Sequence, residues 1–387
     1  MSTLLVVYSA DYLKYDFGPG HPFTPGRWEA LHDLVSSLDL KIEWVESTPC
    51  ADDDLLRVHD GEFVEAVINA SSNLTVPYAG FMGLATGDVP TFKGMHDASK
   101  MVCGGSLLAG ELAVSGRQKR VLQLGGGLHH AMSDRASGFC VYNDLAVMIS
   151  GLRAKGCRVA YVDIDVHHGD GVQAIFYTDP DVLTVSLHES GQYLFPGTGF
   201  VDEIGEGEAE GLSVNVPLFP GTTDDSYLEC FEAVVPEVLA QFEPDILVVQ
   251  SGADAHVMDP LAHLCLSTHA YDKIFDRLIE LAESITGGCI VCTLGGGYAF
   301  DSTLRIWSML AHKLAGEDLP ENLPHAWLKR WRQHIRSSRR HSWHDLSSAP
   351  ESPDRNLHIR DANRSTIERL NSHLIRANGS RRNTLSS

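Results

Sequence analysis

The sequence predicts an α/β fold: one doubly wound domain with a mainly parallel β-sheet flanked by helices. Three observations predict it. Short β-branched apolar runs recur along the chain, and longer stretches with helical spacing separate them. The runs are apolar throughout rather than alternating, as expected for strands covered on both faces. Finally, 387 residues with 43% hydrophobic content can fill one large core.

Residues 4–8, Leu4-Leu5-Val6-Val7-Tyr8, read as the first strand. They lack the basic flank of a signal peptide. The remaining strands are expected at 121–124, 159–163, 182–187, 246–250 and 289–294. Helices are expected at 98–115, 144–155, 225–241 and 269–284. Leu145, Val147, Met148, Ile149 and Leu152 mark the second of these helices. Tyr271, Ile274, Phe275, Leu278 and Leu281 mark the last, at i, i+3, i+4 spacing. The globular domain is expected to span residues 1–331. Residues 332–387 read as an Arg/Ser-rich extension, partly disordered or forming one helix over 362–375, with Ser337-Ser338 and Ser347-Ser348-Ala349-Pro350-Glu351-Ser352-Pro353 as linker.

Composition narrows the function. No apolar run approaches the roughly 20 residues that span a bilayer, so no membrane role is expected. Net charge is −21, and the last 59 residues alone carry +8, which leaves −29 on the residues before them. An acidic body argues against nucleic-acid partners. Arg339-Arg340 and Arg381-Arg382 could contact a partner or RNA, although a solvated tail is the plainer reading. The eight cysteines are scattered. Cys289 and Cys292 lie three apart in a strand-like run and face opposite sides, so they cannot jointly hold a metal. Unpaired buried thiols fit a cytoplasmic location.

The polar chemistry gathers at strand ends. Leu124 runs into Gly125-Gly126-Gly127-Leu128-His129-His130. Asp163 opens Asp163-Ile164-Asp165-Val166-His167-His168-Gly169-Asp170. Ser186-Leu187-His188, Gly252-Ala253-Asp254 and Gly295-Gly296-Gly297-Tyr298 close three further strands. Ligands of open parallel sheets bind at the carboxyl ends of strands. Asp165 and His167 sit at i and i+2, so their side chains lean to one face of an extended backbone. With Asp254 they make an N/O metal site that keeps room for water. That set suits Zn²⁺, with Fe²⁺ as the alternative, in catalysis. A metal-free ion-pair cluster would be costly to bury.

The chain resembles the histone-deacetylase superfamily of metal-dependent amidohydrolases, from about Tyr8 to Trp331. Six matching stretches carry the resemblance together with the 163–171 run: His21-Pro22-Phe23-Thr24-Pro25-Gly26-Arg27, Gly127-Leu128-His129-His130-Ala131, Ser137-Gly138-Phe139-Cys140, Phe195-Pro196-Gly197-Thr198-Gly199, Gly252-Ala253-Asp254 and Gly295-Gly296-Gly297-Tyr298. Finer features resemble the bacterial acetoin-utilisation branch: Gly87-Asp88-Val89-Pro90, Gly94-Met95-His96-Asp97-Ala98-Ser99, Ala255-His256 with Asp259-Pro260-Leu261, and Leu319-Pro320-Glu321-Asn322-Leu323-Pro324.

The resemblance implies an arginase/deacetylase-like fold and hydrolysis of the acetyl amide of Nε-acetyl-lysine in proteins. Asp165, His167 and Asp254 would be metal ligands. His129 would pair with Asp163 and His130 with Asp170, with His130 handling protons and His129 acting mainly through its charge. The Tyr298 hydroxyl would donate to the developing oxyanion. Phe139, beside Gly138, and Phe195 would wall a narrow tunnel. Asp88 would accept from substrate backbone at the rim, with Leu261 also touching substrate. Arg27 would line a channel for departing acetate. A structural K⁺ would use groups of Asp163, Asp165, His167, Ser186 and Leu187. Three rival readings stand beside this one. An acetylpolyamine amidohydrolase usually leads into its histidine pair with Arg-Pro-Pro-Gly, where Leu124-Gly125-Gly126-Gly127-Leu128 stands here. A two-metal ureohydrolase needs additional paired aspartates. A non-catalytic binding module would be expected to have lost at least one of these residues.

Overall fold

A computed structural model describes residues 3–72, 79–335, 342–345 and 353–384. Eight strands form a single sheet: β1 (Leu4–Tyr8), β2 (Ile42–Glu46), β3 (Arg120–Gln123), β4 (Val159–Asp163), β5 (Val182–Glu189), β6 (Ser213–Leu218), β7 (Ile246–Gln250) and β8 (Ile290–Thr293). Their order is β2-β1-β3-β8-β7-β4-β5-β6, and every neighbouring pair is parallel. The expected α/β architecture is present. β4 and β7 are buried along their whole length, as their unbroken apolar runs require.

The two outermost strands, β2 and β6, were not expected from the sequence. An edge strand tolerates polar residues and proline, so Ile42-Glu43-Trp44-Val45-Glu46 and Ser213-Val214-Asn215-Val216-Pro217-Leu218 lack the continuous apolar signal of the interior.

Besides three short 3-10 helices, the described residues hold eleven α-helices: α1 (Gly26–Ser36), α2 (Asp52–Leu55), α3 (Gly61–Ser72), α4 (Met95–Val114), α5 (Asp144–Arg153), α6 (Asp170–Phe176), α7 (Asp224–Phe242), α8 (Thr268–Ile285), α9 (Phe300–Ala315), α10 (His325–Arg330) and α11 (Pro353–Thr384). All four expected helices occur, as α4, α5, α7 and α8, with small shifts at their ends. None of the described helices is long and apolar enough to cross a membrane.

The body does not close at Trp331, contrary to the expected boundary. Trp343 is buried, and its carbonyl accepts from Arg305 Nη1 at 2.8 Å. The Asp345 carboxylate accepts from His256 Nε2 at 2.9 Å, from the Thr268 amide at 3.0 Å and from Arg305 Nη2 at 3.0 Å. Further on, α11 lies against β6 and α7. Its buried Asn363 accepts from the Phe219 amide at 2.9 Å and donates to Thr222 Oγ1 at 2.8 Å and Ser226 Oγ at 2.9 Å. Arg360 and Arg364 both reach Glu229 at 2.7 Å. The helix expected over 362–375 therefore exists but is longer and docked. An apolar stripe of Ile359, Ile367, Leu370, Leu374 and Ala377 faces the body beside these polar bonds, but the strongly hydrophilic composition around it masks the pattern. The linkers expected at Ser337-Ser338 and from Ser347 to Ser352 lie outside the described residues. So do Arg339-Arg340 and the side chains of Arg381 and Arg382.

Asp345→Ala is expected to destabilise the protein by about 3 kcal/mol, because the buried Arg305 guanidinium loses its nearer carboxylate and keeps only Asp301, at 3.4 Å. Burial alone would raise the Asp345 pKa. The hydrogen bond from His256 and the Arg305 charge outweigh it and hold the carboxyl well below the usual range. A depressed carboxylate contributes its stability above its unfolded pKa and loses it as pH falls through the folded value. The difference between wild type and variant in urea unfolding should thus be full at pH 7 and shrink only in acid. A difference below about 1 kcal/mol at pH 7 would contradict this account.

Candidate active site

The five polar strand ends belong to β3, β8, β7, β4 and β5, which are neighbours in that order in the sheet. Parallel strands put all their carboxyl ends on one side, so the five segments converge there. A pocket at this place is lined by His129, His130, Asp165, His167, Gly296 and Tyr298, among others.

Asp165, His167 and Asp254 meet with their ligating atoms all within 4.8 Å of one another. His167 Nδ1 lies 3.1 Å from Asp165 Oδ1 and 3.1 Å from Asp254 Oδ2. All three are buried. Each carboxylate is also fixed by donors behind it. Gln250 Nε2 and the Gly296 amide donate to Asp165 Oδ2, both at 2.7 Å, and the Val166 amide donates to Asp254 Oδ1 at 2.9 Å. Gly296 is required by closeness: a Cβ there would fall 1.9 Å from Asp254 Oδ2. Two carboxylates and one imidazole so placed fit a divalent metal with an N/O donor set. Burial opposes a charge on His167, but its hydrogen bonds to Asp165 and Asp254 prevail and push its pKa up to about 10.

The tandem histidines stand beside this cluster. His129 Nδ1 lies 2.7 Å from Asp163 Oδ2, and His130 Nδ1 lies 2.7 Å from Asp170 Oδ1. The two Nε2 atoms are 3.0 Å apart. If each Nδ1–H donates to its carboxylate, a His130 lone pair can accept only when His129 carries both protons. The electrostatics agree. Burial works against charge on His129, but Asp163 and Asp165 raise its pKa to about 9. Burial and the neighbouring His129 charge push His130 down to about 4.

Asn143 and Asp144 hold the histidine segment in place. Asn143 caps α5 and donates Nδ2 to the carbonyls of His129 and Ala131 at 3.1 and 3.0 Å. Asp144 accepts the amides of Gly127 and Leu128. Neither role was anticipated, although an Asn-Asp pair just before an apolar helical run is a helix-start signature. Gln250 was likewise missed, since it reads as the last residue of a strand.

Tyr298 follows β8, and its amide donates to Asp259 Oδ2 at 2.7 Å. Asp259 is buried, and its other oxygen accepts the Leu261 amide at 3.0 Å. It too had been given no role. Arg27 lies in the first turn of α1. It is buried behind Tyr298, donating Nη1 to the Gly297 carbonyl at 2.9 Å. Its guanidinium lies 4.2 Å from the Phe23 ring centroid and 5.5 Å from that of Tyr298. Its Nε is buried without a hydrogen-bond partner among the described residues.

The mouth is aromatic. The Phe139 ring lies 5.8 Å from Tyr298, and the Phe195 ring lies 5.0 Å from His130, so the two phenylalanines touch different members of the centre. Phe195 is 45% exposed. Gly138 packs so closely that a Cβ would meet the His130 ring at 2.2 Å. Asp88 is half-buried, and its Oδ2 accepts the Gly138 amide at 2.7 Å. Leu261 is half-buried on the Asp259 loop. Ser186 and Leu187 are buried on β5, where Ser186 is the register partner of Asp163.

Comparison with known proteins supplies the context. The family model "Histone deacetylase domain" matches residues 21–314. The acetoin utilization protein AcuC of Bacillus subtilis (strain 168) is 38% identical over 374 residues, covering 95% of this chain and 97% of that protein. AcuC of Staphylococcus aureus (strain MRSA252) is 38% identical over 351 residues, covering 89% and 90%. Among solved structures, an HDAC homolog complexed with SAHA superposes with a TM-score of 0.82 at 29% identity, covering 94% of this chain and 100% of that one. An HDAC homolog from Aquifex aeolicus gives 0.80 at 28%, covering 95% and 100%.

Proposed function

Because the chain belongs to the histone deacetylase family, whose fold implies a metal-dependent deacetylase, we propose that it hydrolyses the acetyl amide of Nε-acetyl-lysine in proteins, releasing acetate and free lysine. The observation that carries this reading is the buried Asp165–His167–Asp254 cluster standing beside the carboxylate-backed His129–His130 pair. Asp165, His167 and Asp254 would hold Zn²⁺, or Fe²⁺ in its place. Such an ion polarises a carbonyl and makes water a stronger acid.

The chain's own residues do the rest. His130 presents an unprotonated Nε2, fixed by Asp170 at the far nitrogen, and takes the proton of the attacking water. It then delivers a proton to the departing amine. His129, charged and braced by Asp163, contributes mainly its field. The Tyr298 hydroxyl donates to the oxyanion. Phe139 and Phe195 flank the apolar lysyl stem, Asp88 accepts from substrate backbone, and Leu261 and Gly138 shape the entrance. Arg27 draws acetate inward, past Phe23. A structural K⁺ bound by Asp163, Asp165, His167, Ser186 and Leu187 would stiffen the β4–β5 ends. Scattered thiols, six of them buried, suit a reducing, cytoplasmic setting.

The substrate assignment is tested by acetate release from a panel of acetyl-lysine peptides with acetylated polyamines alongside. Dominant peptide turnover supports a protein deacetylase. Dominant polyamine turnover replaces the substrate and keeps the chemistry. Tyr298→Phe should retain the metal and lose about 10²–10³ in kcat. Near-normal turnover would remove Tyr298 from the oxyanion role.

A further inference from the structure

The loop between Asp254 and Asp259 carries a donor of the metal cluster at one end and the anchor of the Tyr298 amide at the other. Its tip is solvent-facing: Val257 and Met258 are 41% and 58% exposed. Its interior is held by backbone bonds with Leu266, which accepts the Val257 amide at 2.9 Å and donates to the Ala255 carbonyl at 3.1 Å, and by one buried ring. His256 Nδ1 accepts the Met258 amide at 3.1 Å, and the His256 carbonyl accepts the Asp259 amide at 2.8 Å. Since Nδ1 accepts, the ring proton sits on Nε2, which donates to Asp345 at 2.9 Å. Asp345 comes from the far C-terminal segment, beyond residues 21–314 that match the family model.

We infer that Asp345 is a positioning residue for catalysis: through His256 it fixes the Asp259 loop and thereby the placement of Tyr298. The inference rests on the reading of Tyr298 as the oxyanion donor and goes beyond it, because it assigns part of the active-site scaffold to the C-terminal segment. The bonds run without a gap from the Asp345 carboxylate to the His256 ring, from the His256 carbonyl to the Asp259 amide, and from the Asp259 carboxylate to the Tyr298 amide. A carboxylate on one ring nitrogen fixes the tautomer and orientation of the other, which is how supporting residues usually act on a centre. Asp345 also accepts from Thr268 and Arg305, and those bonds stabilise the fold by themselves. The test must therefore separate positioning from stability.

The experiment uses the full-length zinc-loaded protein and an acetyl-lysine peptide. Asp345→Asn is expected to lower kcat about tenfold, with KM changed less than about twofold and the zinc-to-protein ratio unchanged. His256→Ala leaves the Asp345–Arg305–Thr268 bonds in place and removes the ring with its bonds to Asp345 and to the Met258 amide, so it should give the same split even if Asp345→Asn folds poorly. In a Tyr298→Phe background, either substitution should add less than about twofold, because the group it positions is gone. An equal tenfold loss in that background would overturn the inference, as would a loss confined to KM or to metal content. If Tyr298→Phe is impaired but Asp345→Asn and His256→Ala are not, the inference falls alone. If Tyr298→Phe keeps full kcat, the oxyanion assignment itself falls.

Discussion

Asp254→Ala is expected to abolish metal retention and turnover together. Asp254 is one of only two carboxylates in the donor cluster, and it is fully buried. Its Oδ2 faces His167 Nδ1, and its Oδ1 accepts the Val166 amide. Removing it leaves one carboxylate and one imidazole, too few to hold a divalent ion tightly. Metal analysis after dialysis, paired with acetate release, checks this. Stoichiometric zinc in the variant would end the ligand assignment. The wild-type protein should also bind zinc more weakly as pH falls. Burial and the Asp165 charge raise Asp254 to about 7, and His167 stands at about 10. Both must shed protons to ligate, so the metal competes with protons and releases them on binding. Calorimetric titration of the metal-free protein in two buffers of different ionisation enthalpy should show net proton release.

His130→Ala should cost about 10²–10⁴ in kcat with metal content unchanged. His129→Ala should cost less. The two rings look equivalent in sequence, but their surroundings differ. His129 is bonded at both nitrogens, to Asp163 and to His130, and is pushed up to about 9. His130 is held near 4 by burial and by that neighbour, so at neutral pH it is the ring able to take a proton. Single-turnover rates of the two variants decide the matter. A deeper loss for His129→Ala would reverse the assignment.

Much of this was legible in the chain because the chemistry is concentrated in strand ends. Asp165 and His167 at i and i+2, the glycines before Tyr298 and the His129-His130 pair all announce themselves locally. The strand runs were clear because β4 and β7 are buried on both faces. What escaped notice depends on contacts between distant segments. Asp259, Gln250 and Asp144 each look like an ordinary acid or amide, and only the fold puts an orphan amide or a cluster carboxylate within their reach. Arg27 is expected at an inner channel from the resemblance alone, since nothing local marks it as buried, and α1 brings it beside Tyr298. The C-terminal segment was the largest departure. Its polar composition suggested a tail, but Asp345 and Asn363 bind by complementary hydrogen bonds, and the sparse stripe of Ile359, Ile367, Leu370 and Leu374 is diluted by charged neighbours.

The order of the central strands bears on how the protein comes into being. β3 pairs with β8, and β4 pairs with β7, so segments more than 80 residues apart along the chain must meet before the centre exists. Such non-local pairings form slowly, and their loop-closure cost falls before their reward. During synthesis the ribosome would release β4 and its Asp165 and His167 long before β7 and β8 arrive to deliver Asp254 and Tyr298. On the proposed ligand set, metal capture would follow the arrival of β7 and so come late in folding.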